Sequence, residues 1–179
     1  MFYVYGDDSA DEKKERVRSI GVVFGAENMW QWIEPRWIER NAGIPFHARD
    51  CESDWGDYRD RLHAENKALY RDLVGMIVES GLGGMGVAID LKAQKEAFPG
   101  GLDFAYYKAF AEILIAINKF SVQTGETAKY KFDIQTHEEY NAAYLYQYFR
   151  ENEPDMSLHL DREVAYAQLK TVRAFRSAI

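Results

Sequence analysis

The sequence predicts an α/β domain built on a mixed five-stranded sheet with helices on both faces. Three observations carry that prediction. Short runs rich in Val, Ile, Tyr and Phe recur between turn residues, as strands do. After the first two runs they alternate with segments whose apolar residues repeat every three to four positions, as helices do. No internal repeat and no Pro/Gly/Ser-rich linker divides the 179 residues, a length that one domain with a sizeable core accounts for.

The elements follow in order. Residues 2–5 form a first strand that Gly6-Asp7-Asp8-Ser9 ends in a turn, and a charged connector over 7–15 leads to a second strand at 17–24. Glu27–Arg40 is helical, with Trp30, Ile33, Trp37 and Ile38 on one face, although Pro35 interrupts its hydrogen bonds. Residues 44–48 form a brief third strand. Residues 58–80 give the strongest helix, with Leu62, Leu69, Leu73, Met76 and Ile77 inward and Gly81 at the C-cap. A strand at 84–90 follows. A helix over 102–122 then turns Phe104, Phe110, Ala111, Leu114, Ile117 and Phe120 inward, and Gly125 ends the loop after it. In the strand at 127–134, Tyr130 and Phe132 alternate with Lys129, Lys131 and Asp133. Residues 138–150 are helical, with Tyr140, Tyr144 and Tyr148 near one side. A last strand at 156–160 and a weakly periodic helix over 162–178 complete the chain.

Composition narrows the function. Lys plus Arg is 22 and Asp plus Glu is 29, a net charge of −7, which argues against a protein that coats nucleic acid by charge alone. It leaves room for a nuclease, because a bound cation offsets local carboxylate charge. Cys51 is the single cysteine, so no disulfide forms within the chain and a reducing, cytoplasmic setting is expected. The opening lacks the basic and apolar regions of a signal peptide. The most apolar stretch, 104–120, is cut by Lys108, Glu112 and Lys119, so no membrane partner is expected.

The chemistry follows from strand direction. An antiparallel pair followed by right-handed crossovers sends the first, third, fourth and fifth predicted strands toward one sheet edge. There stand Asp7 and Asp8, then His47 and Asp50, then Asp90, then Asp133. Ligands bind at the carboxyl edge of open α/β sheets. Clustered carboxylates repel unless a cation or a proton lies between them, and all-oxygen donors favour Mg²⁺ or Mn²⁺. Two such ions would clamp the attacking and leaving oxygens of a phosphodiester. The structural alternative is open for each residue, because Asp caps turns and helices; Asp90 in particular is placed to cap a helix at 92–98. His47 is either a partly buried imidazole bonded to backbone, or a general base, metal ligand or phosphate contact. His63, His137 and His159 read as surface or helix-end residues, and Cys51 as an ordinary thiol. Trp30 and Trp37 read as core, Trp32 and Trp55 as contact residues. The glycines at 81, 83, 84 and 86 precede a strand instead of following one, and no Gly-Lys-Ser/Thr is present, so they are not a phosphate loop.

Four segments, FYVYGDDSA, IPFHARDCESDWGDYRDRL, GMGVAIDL and YKFDIQTHEEYNAAYLYQYF, together resemble the bacterial family known as domain of unknown function 3800, over roughly residues 1–152. The matching features are the acidic pair Asp7-Asp8 followed by Ser9, Phe46-His47, Phe132-Asp133 and the downstream Tyr140-Asn141. The resemblance implies a ribonuclease-H-like fold and a metal-dependent nuclease. It departs from the family pattern at the C-terminal Gln-x-x-Asp, where residues 168–171 read Gln-Leu-Lys-Thr.

The expected function is therefore a Mg²⁺- or Mn²⁺-dependent phosphodiester hydrolase. Asp7, Asp8, Asp90 and Asp133 would serve the metal, and His47 with Asp50 the substrate or the proton. The alternative is a non-catalytic interaction domain of the same fold, working through the 30–55 region and the tyrosine-rich helix. Nucleic acid and a second copy of the chain are the expected partners.

Overall fold

A computed structural model describes residues 1–11, 15–99, 105–133, 139–152 and 165–167. The chain runs β1 (Phe2–Ala10), β2 (Val17–Ala26), α1 (Glu27–Arg40), α2 (Ala48–Glu52), a 3₁₀ turn (Gly56–Tyr58) and α3 (His63–Ser80). It continues through β3 (Gly83–Asp90), α4 (Leu91–Ala97), α5 (Ala105–Thr124), β4 (Ala128–Asp133), α6 (Glu139–Asn152) and β5 (Ala165–Ala167).

The strands form one mixed sheet in the order β3-β2-β1-β4-β5. β1 pairs antiparallel with β2, β2 antiparallel with β3, and β4 lies parallel to both β1 and β5. Since β3 is antiparallel to β2, it runs in the direction of β1 and β4. The carboxyl ends of these three strands therefore share an edge, as strand-direction reasoning expects.

Helices cover both faces. Phe2, Val4, Ile20, Val22, Tyr130 and Phe132 pack on α5 and on Tyr146 of α6. On the other face Tyr3, Tyr5 and Val23 meet Trp30, Ile33 and Trp37 of α1 and Leu69 and Leu73 of α3. The two sets alternate along each strand, the period of two that a sheet buried on both faces requires. Among the described residues no helix is long and apolar enough to cross a membrane.

Several elements differ from expectation, each for a physical reason. β1 does not end at Tyr5 but pairs through Ala10↔Arg18, because Gly6 continues the ladder beneath the ring of Phe132. Residues 44–48 are not a strand. The Ile44 carbonyl accepts from Asn41 Nδ2 and the Pro45 carbonyl from the Tyr58 hydroxyl, so side chains satisfy what a sheet neighbour would have. Phe46 is buried among Trp37, Tyr58 and Tyr70. The fifth place in the sheet is held by the three-residue β5.

α3 begins at His63, where the Glu65 carboxylate accepts from the Leu62 N–H at 3.1 Å, and Leu62 itself is exposed. Gly81 takes the left-handed C-cap at φ 76° that the sequence assigns it. Pro35 lies within α1 without ending it. Trp30, Ile33 and Trp37 are buried as expected, whereas Ile38 and Phe120 are exposed. Among the described side chains of α6, Tyr146 is buried and Leu145 and Phe149 pack partly on the same core, while Tyr144 and Tyr148 face solvent. Phe104, the strand expected at 156–160 and most of the helix expected at 162–178 lie outside the described residues. Ala165–Ala167 falls within that last range and is strand instead.

Candidate functional site

The site begins with Asp7 and Asp8, which stand inside β1 and not in a turn. Successive strand residues point to opposite faces. Asp8 shares the face of Phe2, Val4 and Gly6. There Arg18 Nη2 donates to its Oδ2 at 3.2 Å, and the Arg18 guanidinium lies 5.1 Å from the centroid of the Tyr106 ring on α5. Both side chains of this pair are about nine-tenths buried, at 12% and 10% exposure. Asp7 belongs to the face of Tyr3 and Tyr5, and the Asp8 N–H donates to its Oδ1 at 2.9 Å. The adjacent carboxylates are thus divided between the two sides of the sheet.

Asp133 ends β4. The parallel register pairs Tyr5 with Lys131 and Gly6 with Phe132, so the next step on each strand sets position 133 beside Asp7. Neighbouring strands lie roughly 4.8 Å apart. Among the described residues, this step brings two expected site positions to adjacent strands.

Asp90 is placed differently. Its Oδ1 accepts from the Lys92 and Ala93 N–H groups at 2.9 and 3.0 Å, the full geometry of an N-cap on α4. Asp7 is level with Gly21, and Gly21 with Gly86, so Asp90 is four residues farther along and two strands away. At the usual strand rise and spacing that is roughly 16 Å between Cα atoms. Two aspartates sharing one ion cannot span so much, since each carboxylate oxygen reaches only a few ångströms from its Cα. Asp90 therefore does not join Asp7.

His47 and Asp50 flank the start of α2, with His47 exposed and Asp50 half-buried. α2 packs on α3 and on the 3₁₀ turn, and Asp50 sits over Gly56. Phe46 and Cys51, their neighbours in sequence, belong to the same core as Tyr3 and Tyr5. His47 and Asp50 are thus on the Asp7 side of the sheet. The Cys51 thiol is buried, its pKa is pushed up by that burial, and it donates to the Asn66 carbonyl at 3.3 Å, the setting of an inert thiol. His63 pairs with Asp54 at 2.7 Å at the exposed start of α3, as a helix-end histidine; His137 and His159 lie outside the described residues. Trp30 and Trp37 are core. Trp55 is 70% exposed, and Trp32 is half-buried under the Arg36 guanidinium at 4.2 Å.

The donors fit a divalent cation only in part. The backbone register brings the positions of Asp7 and Asp133 to neighbouring strand ends, and Mg²⁺ takes one or two carboxylates when water and phosphate oxygens fill its other positions. Asp8 is committed to Arg18 across the sheet, and Asp90 to its helix. Among the described residues no group of three or more His, Cys, Asp and Glu side chains is placed to hold a metal. Asp8 and Asp90 therefore do not converge on Asp7 as the strand ends alone suggest. The Arg18 partner went unforeseen, although its signal lies in the hairpin register. No family model, no curated protein and no solved structure matches the chain.

Proposed function

We propose that the chain is a divalent-metal-dependent phosphodiester hydrolase of the ribonuclease-H-like kind, acting in the cytoplasm and akin to the domain of unknown function 3800 family. The observation that carries this reading is the parallel register of β1 and β4, whose last pair, Gly6↔Phe132, stands one residue before Asp7 and position 133 at the carboxyl edge. The antiparallel β1, β2 and β3, continued by the parallel β4 and β5, support the fold.

Asp7 and Asp133 would hold Mg²⁺ or Mn²⁺. Such an ion, when bound, polarises a phosphodiester and lowers the pKa of bound water. Asp7 orients the donor set from the strand, backed by its bond from the Asp8 N–H. His47 and Asp50, on the same side of the sheet, meet the substrate and carry a proton to or from solvent. Asp8 assists as a positioning residue, fixing β1 to β2 through Arg18, and Asp90 by turning the chain into α4. The test is cleavage of single- and double-stranded DNA and RNA with Mn²⁺. Wild type is expected to cleave and Asp7→Asn to be inactive with its fold intact; equal cleavage by both would overturn the reading.

A second reading has its own observation. Asp8 and Asp90 both have structural partners, and Trp55, Tyr144 and Tyr148 present aromatic surface at 70%, 74% and 49% exposure. Exposed rings of this kind would suit a non-catalytic domain that binds protein, including a second copy. A stable dimer on sizing, with no metal response and no cleavage, would select it.

A further inference from the structure

We infer that the half-exposed tract of sheet leading to Asp7 binds a single-stranded polynucleotide, its phosphates on Lys129 and Lys131 and its bases against Tyr3 and Tyr5. The tract follows from register and alternation. Tyr3 pairs with Lys129 and Tyr5 with Lys131, so two tyrosines and two lysines form adjacent columns. Tyr130 and Phe132 point to the α5 core, which puts the intervening lysines on the Asp7 face. Contact confirms the geometry for one pair: Lys131 Nζ lies 5.4 Å from the centroid of the Tyr5 ring. All four side chains are half-exposed.

The chemistry selects the occupant. One line of cations beside one line of aromatic faces suits one backbone with its bases to one side, the combination that single-strand binders use. The lysines repeat about 6.6 Å apart, two strand residues. Tyr5 meets Trp30 with ring centroids 4.5 Å apart and planes at 61°, a contact that fixes its ring beside Lys131. The columns end at Asp7 and position 133, so a strand lying on them delivers a phosphate to that pair. Only this delivery rests on the hydrolase reading; the binding does not.

The test is fluorescence anisotropy of a labelled twelve-nucleotide single strand in EDTA, across a salt series. Wild type is expected to bind with a salt-dependent Kd. Lys131→Met, which keeps the apolar stem over Tyr5, is expected to weaken binding several-fold and to lower the log–log salt slope by about 0.7; Lys129→Met/Lys131→Met lowers it by about 1.4. Tyr3→Ala is expected to cost roughly tenfold in Kd with the slope unchanged, the mark of lost stacking. Lys131→Arg restores binding. No binding by wild type, or the same Kd and slope in folded Lys131→Met, would overturn the proposal. Asp7→Asn separates the two claims: it is expected to bind the strand at least as tightly as wild type while losing the Mn²⁺ response. If it keeps that response while Lys131→Met still loses the strand, the hydrolase reading falls and the tract stands.

Discussion

The Asp8 carboxylate accepts from the Arg18 guanidinium at 3.2 Å, on the opposite face of the sheet from the Asp7 side chain. Two carboxylates that look like one acidic pair in sequence therefore do different work. One is held in a mostly buried ion pair between β1 and β2; the other stands at the edge beside β4. The pairing also removes the repulsion that two carboxylates on one face would create.

Breaking that pair should destabilise the fold more than it affects the edge. Asp8→Ala leaves Arg18 charged over Tyr106 with little solvent, a change that costs about 3 kcal/mol. For a chain of this size that lowers Tm by roughly 6–12 °C. Asp8→Ala/Arg18→Met should recover most of the loss. Thermal unfolding of the two variants checks it, and equal Tm values for wild type and Asp8→Ala would refute it.

Gly6 controls the approach of β4 to β1. A Cβ there would lie 2.3 Å from Phe132 Cε1 and 2.9 Å from Val22 Cγ1, so both rows would have to give. Gly6→Ala should cost about 1–3 kcal/mol by overpacking, and it should also weaken metal binding by shifting position 133 away from Asp7. Chemical denaturation and a metal titration on the same variant read the two effects separately.

Asp90 should behave as a cap. Asp90→Ala is expected to cost about 1 kcal/mol, and Asp90→Asn or Asp90→Ser much less, because the Lys92 and Ala93 N–H groups need only an oxygen acceptor. Metal affinity should be unchanged in all three. A lost metal response in Asp90→Asn would return Asp90 to the site.

Acid stability should depend on two partly exposed carboxylates. Asp11, at the β1–β2 hairpin, is lowered to about 2, first by the Val17 and Arg16 N–H groups that bind it. Asp54 is lowered first by its hydrogen bond from Asn66 and then by His63. A carboxylate lowered in the folded state stabilises fully above its unfolded pKa near 3.8 and loses that contribution as pH falls through the folded value. Stability should therefore drop between about pH 4 and pH 2, and Asp11→Asn should flatten the slope there. Denaturation midpoints at several acidic pH values test this, and an unchanged slope would count against it.

Much of the fold was legible because burial imposes a period. Tyr130 and Phe132 alternate with Lys129 and Lys131, and Leu69 and Leu73 repeat at helical spacing, so those elements are readable from residue type alone. Residues 44–48 were not, because what stops them pairing is distant in sequence: Tyr58 and Asn41 take the carbonyls that a ladder would use. Gly6 read as a turn because its role as a floor beneath Phe132 exists only once β4 is in place. That early stop placed Asp7 and Asp8 in a loop, where both could face one ion. Extending the strand to Ala10 separates them by the pleat. The shared edge was deducible from connection rules; the two-strand offset of Asp90 needed the sheet order.

The central claim is that Asp7 and Asp133 together bind a divalent cation. Its most direct test is a thermal-shift titration with Mn²⁺ and Mg²⁺ on wild type beside Asp7→Asn and Asp133→Asn. A ligand that binds only the folded chain raises Tm by mass action. A saturable rise is expected in wild type, and either substitution is expected to abolish it while leaving the metal-free Tm nearly unchanged. No shift in wild type at millimolar metal, or a shift that both variants retain, would contradict it.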